Sequence, residues 1–295
     1  MKLRKLLLLV GVILLLTVNG YLASAEEAPL WLRLDAANTD CLPRSFRMIE
    51  ELTISGSGQF AENNLQAIKT KLSGKNVTIV DLREESHGFV NGTAVSWYGL
   101  KNWANKGKMP ESIVTDENSR LAELQATGQT IVNTKVKTLG KTSAPEMISQ
   151  QQVVLQVETV LNEEQLAKKH GFGYYRITNT DHIRPLDSNV DIFIGFVNSL
   201  PADTWLHFHC MAGHGRTTTF MAMLDMMRNA KSTAIDEIIQ RQHQAGGIDL
   251  FSEDKAGLKA KYSAERATFL RQFYEYCQQN NDGFVTTWSE WLATQ

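Results

Sequence analysis

The stretch 207–220, HFHCMAGHGRTTTF, constrains the fold more than any other part of the chain. The segment 204–209, TWLHFH, predicts a strand that ends at Cys210. Apolar residues then recur at helical spacing from Phe220 to Met227, so a helix follows within a few residues. Glycines 213 and 215 allow the tight turn between the two. A strand that passes so directly into a helix is typical of an α/β sheet.

This turn has the chemistry of a phosphate-binding loop. Its glycines let backbone N–H groups point inward at the N-terminus of the helix, and such a ring of donors binds anions. The same positive field favours the thiolate of Cys210, which is a nucleophile. Arg216 adds a planar guanidinium that matches phosphate oxygens. We therefore predict a cysteine-dependent phosphatase loop, in which Cys210, Arg216 and Thr217 are catalytic and the substrate contacts Met211, Ala212, Gly213, His214 and Gly215.

A zinc site is the alternative interpretation of the same stretch, because it holds three histidines and a cysteine. His207 and His209 share one face of the predicted strand, however, and Cys210 lies on the other face. An arginine beside a cation would also be unfavourable, and the two glycines would have no purpose. The pattern therefore favours the phosphate loop, and we expect no metal and no cofactor.

Phosphoryl transfer to a thiolate needs an acid that protonates the leaving oxygen. Asp181 lies in TNTDHIRP, residues 178–185, which follows the strand-like GYYRIT of residues 173–178. Such a loop leaves the carboxyl edge of a parallel sheet, where the phosphate loop also opens. Asp187, Asp191 and Asp203 are rivals, but they are typical of a helix cap or a helix surface. We predict Asp181 as the general acid.

Strands alternate with helices along most of the chain, which predicts an α/β fold with a mostly parallel central sheet flanked by helices. Residues 86 to about 143 are the exception, because they are rich in Gly, Asn, Lys and Thr and contain strand-like TAVSWY and TIVNTKV. We expect a phosphatase domain over 26–295, with a small β-rich subdomain contributed by about 30–60 and 86–145.

The N-terminus predicts export. Three basic residues precede the apolar run 6–18, and Ala23-Ser24-Ala25 follows it as a cleavage site, so residues 1–25 resemble a signal peptide. These 25 residues hold three of the 30 basic residues and none of the 32 acidic ones, so the remaining chain has a formal charge of −5. We expect a periplasmic or extracellular protein without a stable membrane anchor after processing, and no binding to nucleic acid.

Taken together, these stretches resemble the protein-tyrosine-phosphatase-like phytases of bacteria, also called cysteine phytases. The resemblance rests on HCMAGHGRTTTF, on DLREESHGFVNGTAVSW at 81–97, on TDHIRP ahead of WLHFHC, on LPRSFR at 42–47 and on the C-terminal FYEYCQQN. It implies a phosphatase core with a small partial β-barrel, and stepwise hydrolysis of myo-inositol hexakisphosphate (phytate). It assigns Cys210 as nucleophile, Arg216 as phosphate ligand and Asp181 as acid, with His182 positioning the substrate.

Two positions depart from the family's pattern: Met211 replaces a common acidic residue, and Arg184 replaces a tryptophan before the proline. A polyanionic substrate needs further cations, for which we predict Arg47, Arg184, Lys255 and Lys259, although lysines at this spacing also solvate ordinary helices. His214 could add a positive contact or simply face solvent. Two other functions use the same loop: a phosphotyrosine or phosphoinositide phosphatase, and an inactive inositol-phosphate-binding module.

Overall fold

The computed structural model describes residues 30–139, 146–252 and 257–295. The predicted signal peptide and Lys255 lie outside these ranges. Eleven strands are described: β1 Trp31–Ala36, β2 Arg47–Ile49, β3 Ile54–Ser57, β4 Val77–Asp81, β5 His87–Val90, β6 Thr93–Tyr98, β7 Gln129–Leu139, β8 Glu146–Gln156, β9 Val160–Leu161, β10 Gly173–Arg176 and β11 Trp205–His209. Within the same ranges, no helix is both long enough and apolar enough to span a lipid bilayer.

Eight α-helices are described: α1 Glu62–Lys71, α2 Pro110–Thr127, α3 Glu163–Lys169, α4 Asp187–Ser199, α5 Gly215–Asn229, α6 Ile235–Gln244, α7 Gly257–Gln279 and α8 Trp288–Leu292. Short 3-10 helices cover Glu50–Leu52 and Leu100–Asn102. The strands and helices predicted around the cysteine loop are therefore present. The Gly, Asn, Lys and Thr-rich region also holds strands, since TAVSWY is β6 and TIVNTKV lies within β7.

The central sheet has five strands in the order β10-β4-β11-β3-β2. The first four run parallel, and only β2 pairs antiparallel with its neighbour β3. One face is covered by α4 to α8, whose core contacts include Phe193, Phe220 and Leu270, and the other face packs against α1 and α3 through Leu65 and Leu166. The mostly parallel α/β core with helices on both faces is thus confirmed.

A second sheet has six strands in the order β8-β7-β1-β6-β5-β9. Helix α2 packs on it through Leu121 and Leu124, which share a cluster with Val95 and Val132. Among the described residues, the outer strands β8 and β9 do not pair with each other, so the expected partial β-barrel is not confirmed. Strands β2 and β3 belong to the central sheet rather than to this one, although they lie within the region 30–60.

Candidate active site

Strand β11, the cysteine and helix α5 follow one another as the sequence predicts. β11 ends at His209, Cys210 is only 3% exposed, and α5 begins at Gly215. Gly213 between them has φ +79°, which L side chains rarely adopt. A Cβ at this position would lie 2.4 Å from the backbone nitrogen of Gly58, so the loop can turn here only with glycine.

The loop presents its backbone as an anion receptor. In the described ranges, the backbone N–H groups of residues 211–216 donate to no protein acceptor. They lie at the N-terminus of α5, a helix of 15 residues, whose dipole adds positive potential there. The Thr217 hydroxyl donates to Cys210 Sγ at 3.2 Å, which stabilises a thiolate. Nucleophile and anion receptor therefore form one site.

Arg216 is held in place from behind by a buried carboxylate. Its Nη1 lies 2.7 Å from Glu85 Oε2 and its Nη2 2.9 Å from Glu85 Oε1, and Arg83 Nε also donates to Glu85 at 3.0 Å. Burial alone would raise the pKa of Glu85, but Arg216 and Arg83 outweigh it and hold that pKa well below its usual range. Burial likewise disfavours a charged Arg216, but Asp181 and Glu85 raise its pKa well above the ordinary value. Arg216 therefore stays charged, and its guanidinium is held between Glu85 and Asp181.

The structure brings Asp181 to the same place. Its Oδ1 lies 3.3 Å from Arg216 Nη2 and accepts from the backbone N–H of His182 at 3.0 Å. A cavity of about 330 Å³ opens above the loop. It is lined by Asp181, His182, Cys210, Ala212, His214, Gly215, Ile248, Lys259, Tyr262, Ser263 and Arg266. The predicted acid thus faces the same cavity as the predicted nucleophile.

The predicted peripheral cations lie in different environments. Lys259 is exposed and lines the cavity. Arg47 does not line it and is only 4% exposed, because its guanidinium donates to Gly213 O at 2.8 Å and to Thr218 Oγ1 at 3.0 Å. It therefore supports the loop through the Gly213 carbonyl. Arg184 pairs with Asp187 at 2.8 Å and is also absent from the cavity wall.

His214 contributes less positive charge than its position suggests. Its Nε2 lies 3.1 Å from Ser45 Oγ. Burial, followed by Arg47 and Arg44, lowers the pKa of His214 below its ordinary value, so the ring is less readily protonated than a free imidazole. His182 is more exposed, at 44% of its side chain, and lies at the mouth of the cavity beside Asp181.

Other residues complete the site without having been predicted for it. Arg44 donates through Nη2 to the carbonyl of Met211 and so fixes the first residue of the loop. Arg266, Tyr262 and Ser263 reach the cavity from α7. A Cβ on Gly215 would lie 2.8 Å from Arg266 Nη1, which shows how closely this guanidinium approaches the loop. Arg44 was visible in the LPRSFR stretch, whereas no sequence signal distinguishes Arg266 from a surface arginine.

The histidines of the loop do not form a zinc site with Cys210. Both ring nitrogens of His207 are occupied, by Ser55 Oγ at 2.8 Å and Ser57 Oγ at 3.0 Å. Burial, followed by His209 and Arg47, lowers the pKa of His207 to about 3, so it is a neutral core residue. His209 is also fully buried, and its Nε2 lies 2.5 Å from Glu163 Oε1, so it belongs to the core.

Asp81, His87 and Glu163 lie close enough together to hold a metal ion, and none of them lines the cavity. Burial and Arg83 oppose protonation of His87, but Asp81 and Glu117 outweigh them and raise its pKa to about 10. In its charged form, His87 Nε2 lies 3.3 Å from Asp81 Oδ2 and 3.2 Å from Glu163 Oε2. The cluster therefore fits a buried ion pair between the two sheets.

The comparisons with known proteins point to phosphatases, as the geometry of the site does. The family model for PTP-like phytases, described as "Inositol hexakisphosphate", matches residues 80–228. A tandemly repeated PTP-like phytase from Mitsuokella multacida is 38% identical with a TM-score of 0.81, over 91% of this chain and 50% of that one. The same organism's PTP-like myo-inositol phosphatase has been solved in complex with myo-inositol-(1,3,4,5)-tetrakisphosphate. A PTP-like phytase from Bdellovibrio bacteriovorus is 34% identical with a TM-score of 0.74, over 90% of this chain and 96% of that one.

A further relative is named as an effector protein. Effector protein hopD2 of Pseudomonas syringae pv. tomato is 30% identical over 251 residues, which are 83% of this chain and 52% of the effector. The chain thus spans about half the length of the effector and of the Mitsuokella protein. The family model covers half of the chain, and the Bdellovibrio structure matches over nearly its whole length. The chain belongs to the PTP-like phytase family.

Proposed function

We propose that this protein is an exported phosphatase that hydrolyses the phosphate monoesters of myo-inositol hexakisphosphate stepwise, through a cysteinyl-phosphate intermediate. One observation carries the proposal: Cys210 and Asp181 line one cavity, and the loop after Cys210 has backbone N–H groups with no protein acceptor among the described residues. The family membership and the inositol tetrakisphosphate bound to a relative support an inositol polyphosphate as the substrate.

The first chemical step forms an S–P bond and breaks the P–O bond to the inositol. Cys210 Sγ attacks phosphorus while the loop N–H groups and Arg216 bind the phosphate oxygens. Asp181, in its protonated form, gives its proton to the leaving inositol oxygen. In the second step a water molecule attacks phosphorus, Asp181 takes up a proton from this water, and the S–P bond breaks. Inorganic phosphate leaves and the thiolate is restored beside the Thr217 hydroxyl.

Charge around the cavity favours a polyanion. Lys259 and Arg266 line it, and Arg44 contacts the loop from the opposite side. A chain with a formal charge of −5 after processing would repel phytate in general, so these local cations are needed to offset that repulsion. A phosphotyrosine peptide presents one phosphate on an aromatic ring, so its binding needs fewer cations around the cavity. A phosphotyrosine phosphatase that uses the same loop is the second candidate.

A substrate comparison separates these functions. We expect kcat/KM for phytate to exceed that for a phosphotyrosine peptide and for a phosphoinositide, and Asp181→Asn to lower the phytate rate by about 10²–10⁴-fold. An aryl phosphate with a good leaving group should lose less, because it needs the proton less. A phosphotyrosine peptide that outcompetes phytate would refute the phytase function. A protein that binds phytate but releases no phosphate would be a binding module.

Export is a separate part of the proposal and has its own test. The chain would be expressed in full in a bacterial host, and the protein recovered from the periplasm and the medium would be sequenced from its N-terminus. We expect a mature chain that starts at Glu26. A full-length chain that stays in the cytoplasmic fraction would contradict export and leave the catalytic proposal intact.

A further inference from the structure

The loop that follows β6 reaches across from the second sheet and contacts the proposed general acid. Asn102 Nδ2 donates to Asp181 Oδ2 at 2.8 Å. The next residue, Trp103, donates from its indole Nε1 to the Asp181 carbonyl oxygen at 2.9 Å. One residue pair therefore holds both the carboxyl group and the backbone of Asp181.

The backbone of this loop is strained where it makes these contacts. Lys101 has φ 60° and Asn102 has φ 61°, so two consecutive residues other than glycine are left-handed. Such conformations persist only where the surroundings enforce them, and they concentrate at functional sites. The neighbouring Trp103 ring is held in place, since Lys101 Nζ and Lys106 Nζ lie 4.7 and 4.4 Å from its centroid and Tyr262 packs against it edge-on.

The Asn102 side chain is polar, although most of its surroundings offer it no hydrogen bond in the described part of the chain. The residue is only 6% exposed, and its Oδ1 is buried with no hydrogen-bond partner in the described part of the chain. Its side chain makes a single hydrogen bond there, the one to Asp181. A buried amide with an unsatisfied oxygen costs stability, so a role at Asp181 explains why this position is polar.

The two oxygens of Asp181 are held unequally. Oδ1 accepts from the His182 backbone and lies near Arg216, while among the described residues Oδ2 accepts a hydrogen bond only from Asn102, with His182 Nε2 3.9 Å away. Without Asn102 the carboxyl group could rotate about its last side-chain bond. A proton donor that is displaced by about 1 Å can cost about 10²-fold in rate.

We infer that Asn102 and Trp103 are positioning residues that fix the orientation of the general acid Asp181 from the second sheet. The inference rests on the proposed function only in taking Asp181 as the acid. It predicts that loss of Asn102 lowers kcat/KM most for substrates whose leaving group most needs a proton, whatever the natural substrate is.

The test compares two aryl phosphates, because they report on any cysteine phosphatase. Asn102→Gly removes the amide but allows the same left-handed backbone. Asn102→Asp keeps the shape of the side chain but replaces the N–H donor by an oxygen. Asn118→Ala, which removes an exposed asparagine of α2, is the matched control. Both Asn102 variants should lower kcat/KM for phenyl phosphate by about 10–10²-fold. For 4-nitrophenyl phosphate, with its better leaving group, the loss should be several-fold smaller, and Asn118→Ala should change neither rate. Trp103→Phe should act in the same direction.

A double-mutant cycle excludes a merely structural effect. In the Asp181→Asn background, Asn102→Gly should cause no further loss, because the acid that it positions is already gone. Equal losses on the two aryl phosphates, or additive losses in the cycle, would overturn the inference, provided that thermal melts show both variants folded. Failure of the proposed function has a different signature, since phytate would then be a poor substrate while the leaving-group comparison still decides the role of Asn102.

Discussion

Glu85→Gln tests how much the protein depends on the carboxylate that orients Arg216. Glu85 is 1% exposed and lies within 3.0 Å of nitrogens on Arg216 and Arg83, both of which are buried. Breaking a buried ion pair typically costs about 3–5 kcal/mol. Asp181 still lies near Arg216 and Asp35 near Arg83, at 3.3 and 2.8 Å, so we expect the lower end, about 3 kcal/mol. At about 2–4 °C per kcal/mol for a chain of this size, the melting temperature should fall by roughly 6–12 °C.

Urea denaturation at pH 7 measures this loss, and Glu84→Gln is the matched control. Glu84 is also buried, but among the described residues its side chain accepts only from the Thr180 hydroxyl, at 3.0 Å, so its replacement should cost about 1 kcal/mol or less. Because the folded-state pKa of Glu85 lies below its unfolded value, the pair stabilises the protein above about pH 4.3 and that contribution is lost as pH falls. The gap between parent and Glu85→Gln should therefore narrow in acid. A loss below 1 kcal/mol at pH 7, as for an exposed pair, would refute the reasoning.

Three further predictions follow from single positions. Gly213→Ala should lower kcat/KM by about 10²-fold or more, since its Cβ would displace the loop from Gly58; near-parental activity would show that the turn tolerates a side chain. The pKa of His207 is lowered to about 3, so folding stability should fall as pH drops from about 6.5 towards 3, and His207→Gln should flatten this slope in denaturation series; an unchanged slope would assign the loss to other groups. Lys259→Met should weaken phytate turnover and its salt dependence, and leave 4-nitrophenyl phosphate turnover unchanged; equal effects on both substrates would make Lys259 structural.

The catalytic loop could be predicted from the sequence because its structure is local. Strand, cysteine, glycine turn and helix follow one another within about twenty residues, and each has its own sequence signal. Asp181 lies 29 positions earlier, but β10 and β11 run parallel with only β4 between them, and their carboxyl ends meet at one sheet edge, so topology alone placed it near Cys210. The alternating strands and helices likewise predicted the central sheet.

The outer part of the site could not be predicted in the same way. An arginine in a strand or helix has the same sequence pattern whether it faces a ligand, a loop or solvent. Arg47 turned out to support the loop and Arg266 to line the cavity, and only tertiary packing separates these roles. Asn102 lies in the second sheet's connection, where an irregular backbone carries no periodicity that a sequence pattern could reveal.

Trapping of the covalent intermediate tests the central claim most directly. The protein would be mixed with phytate labelled at phosphorus, quenched in denaturant within milliseconds, digested and analysed for labelled peptides. We predict one labelled peptide that carries phosphate on Cys210, with none in Cys210→Ser, and free phosphate released only by the parent. Phosphate release without a labelled cysteine, or release that survives in Cys210→Ser, would contradict the thiolate mechanism.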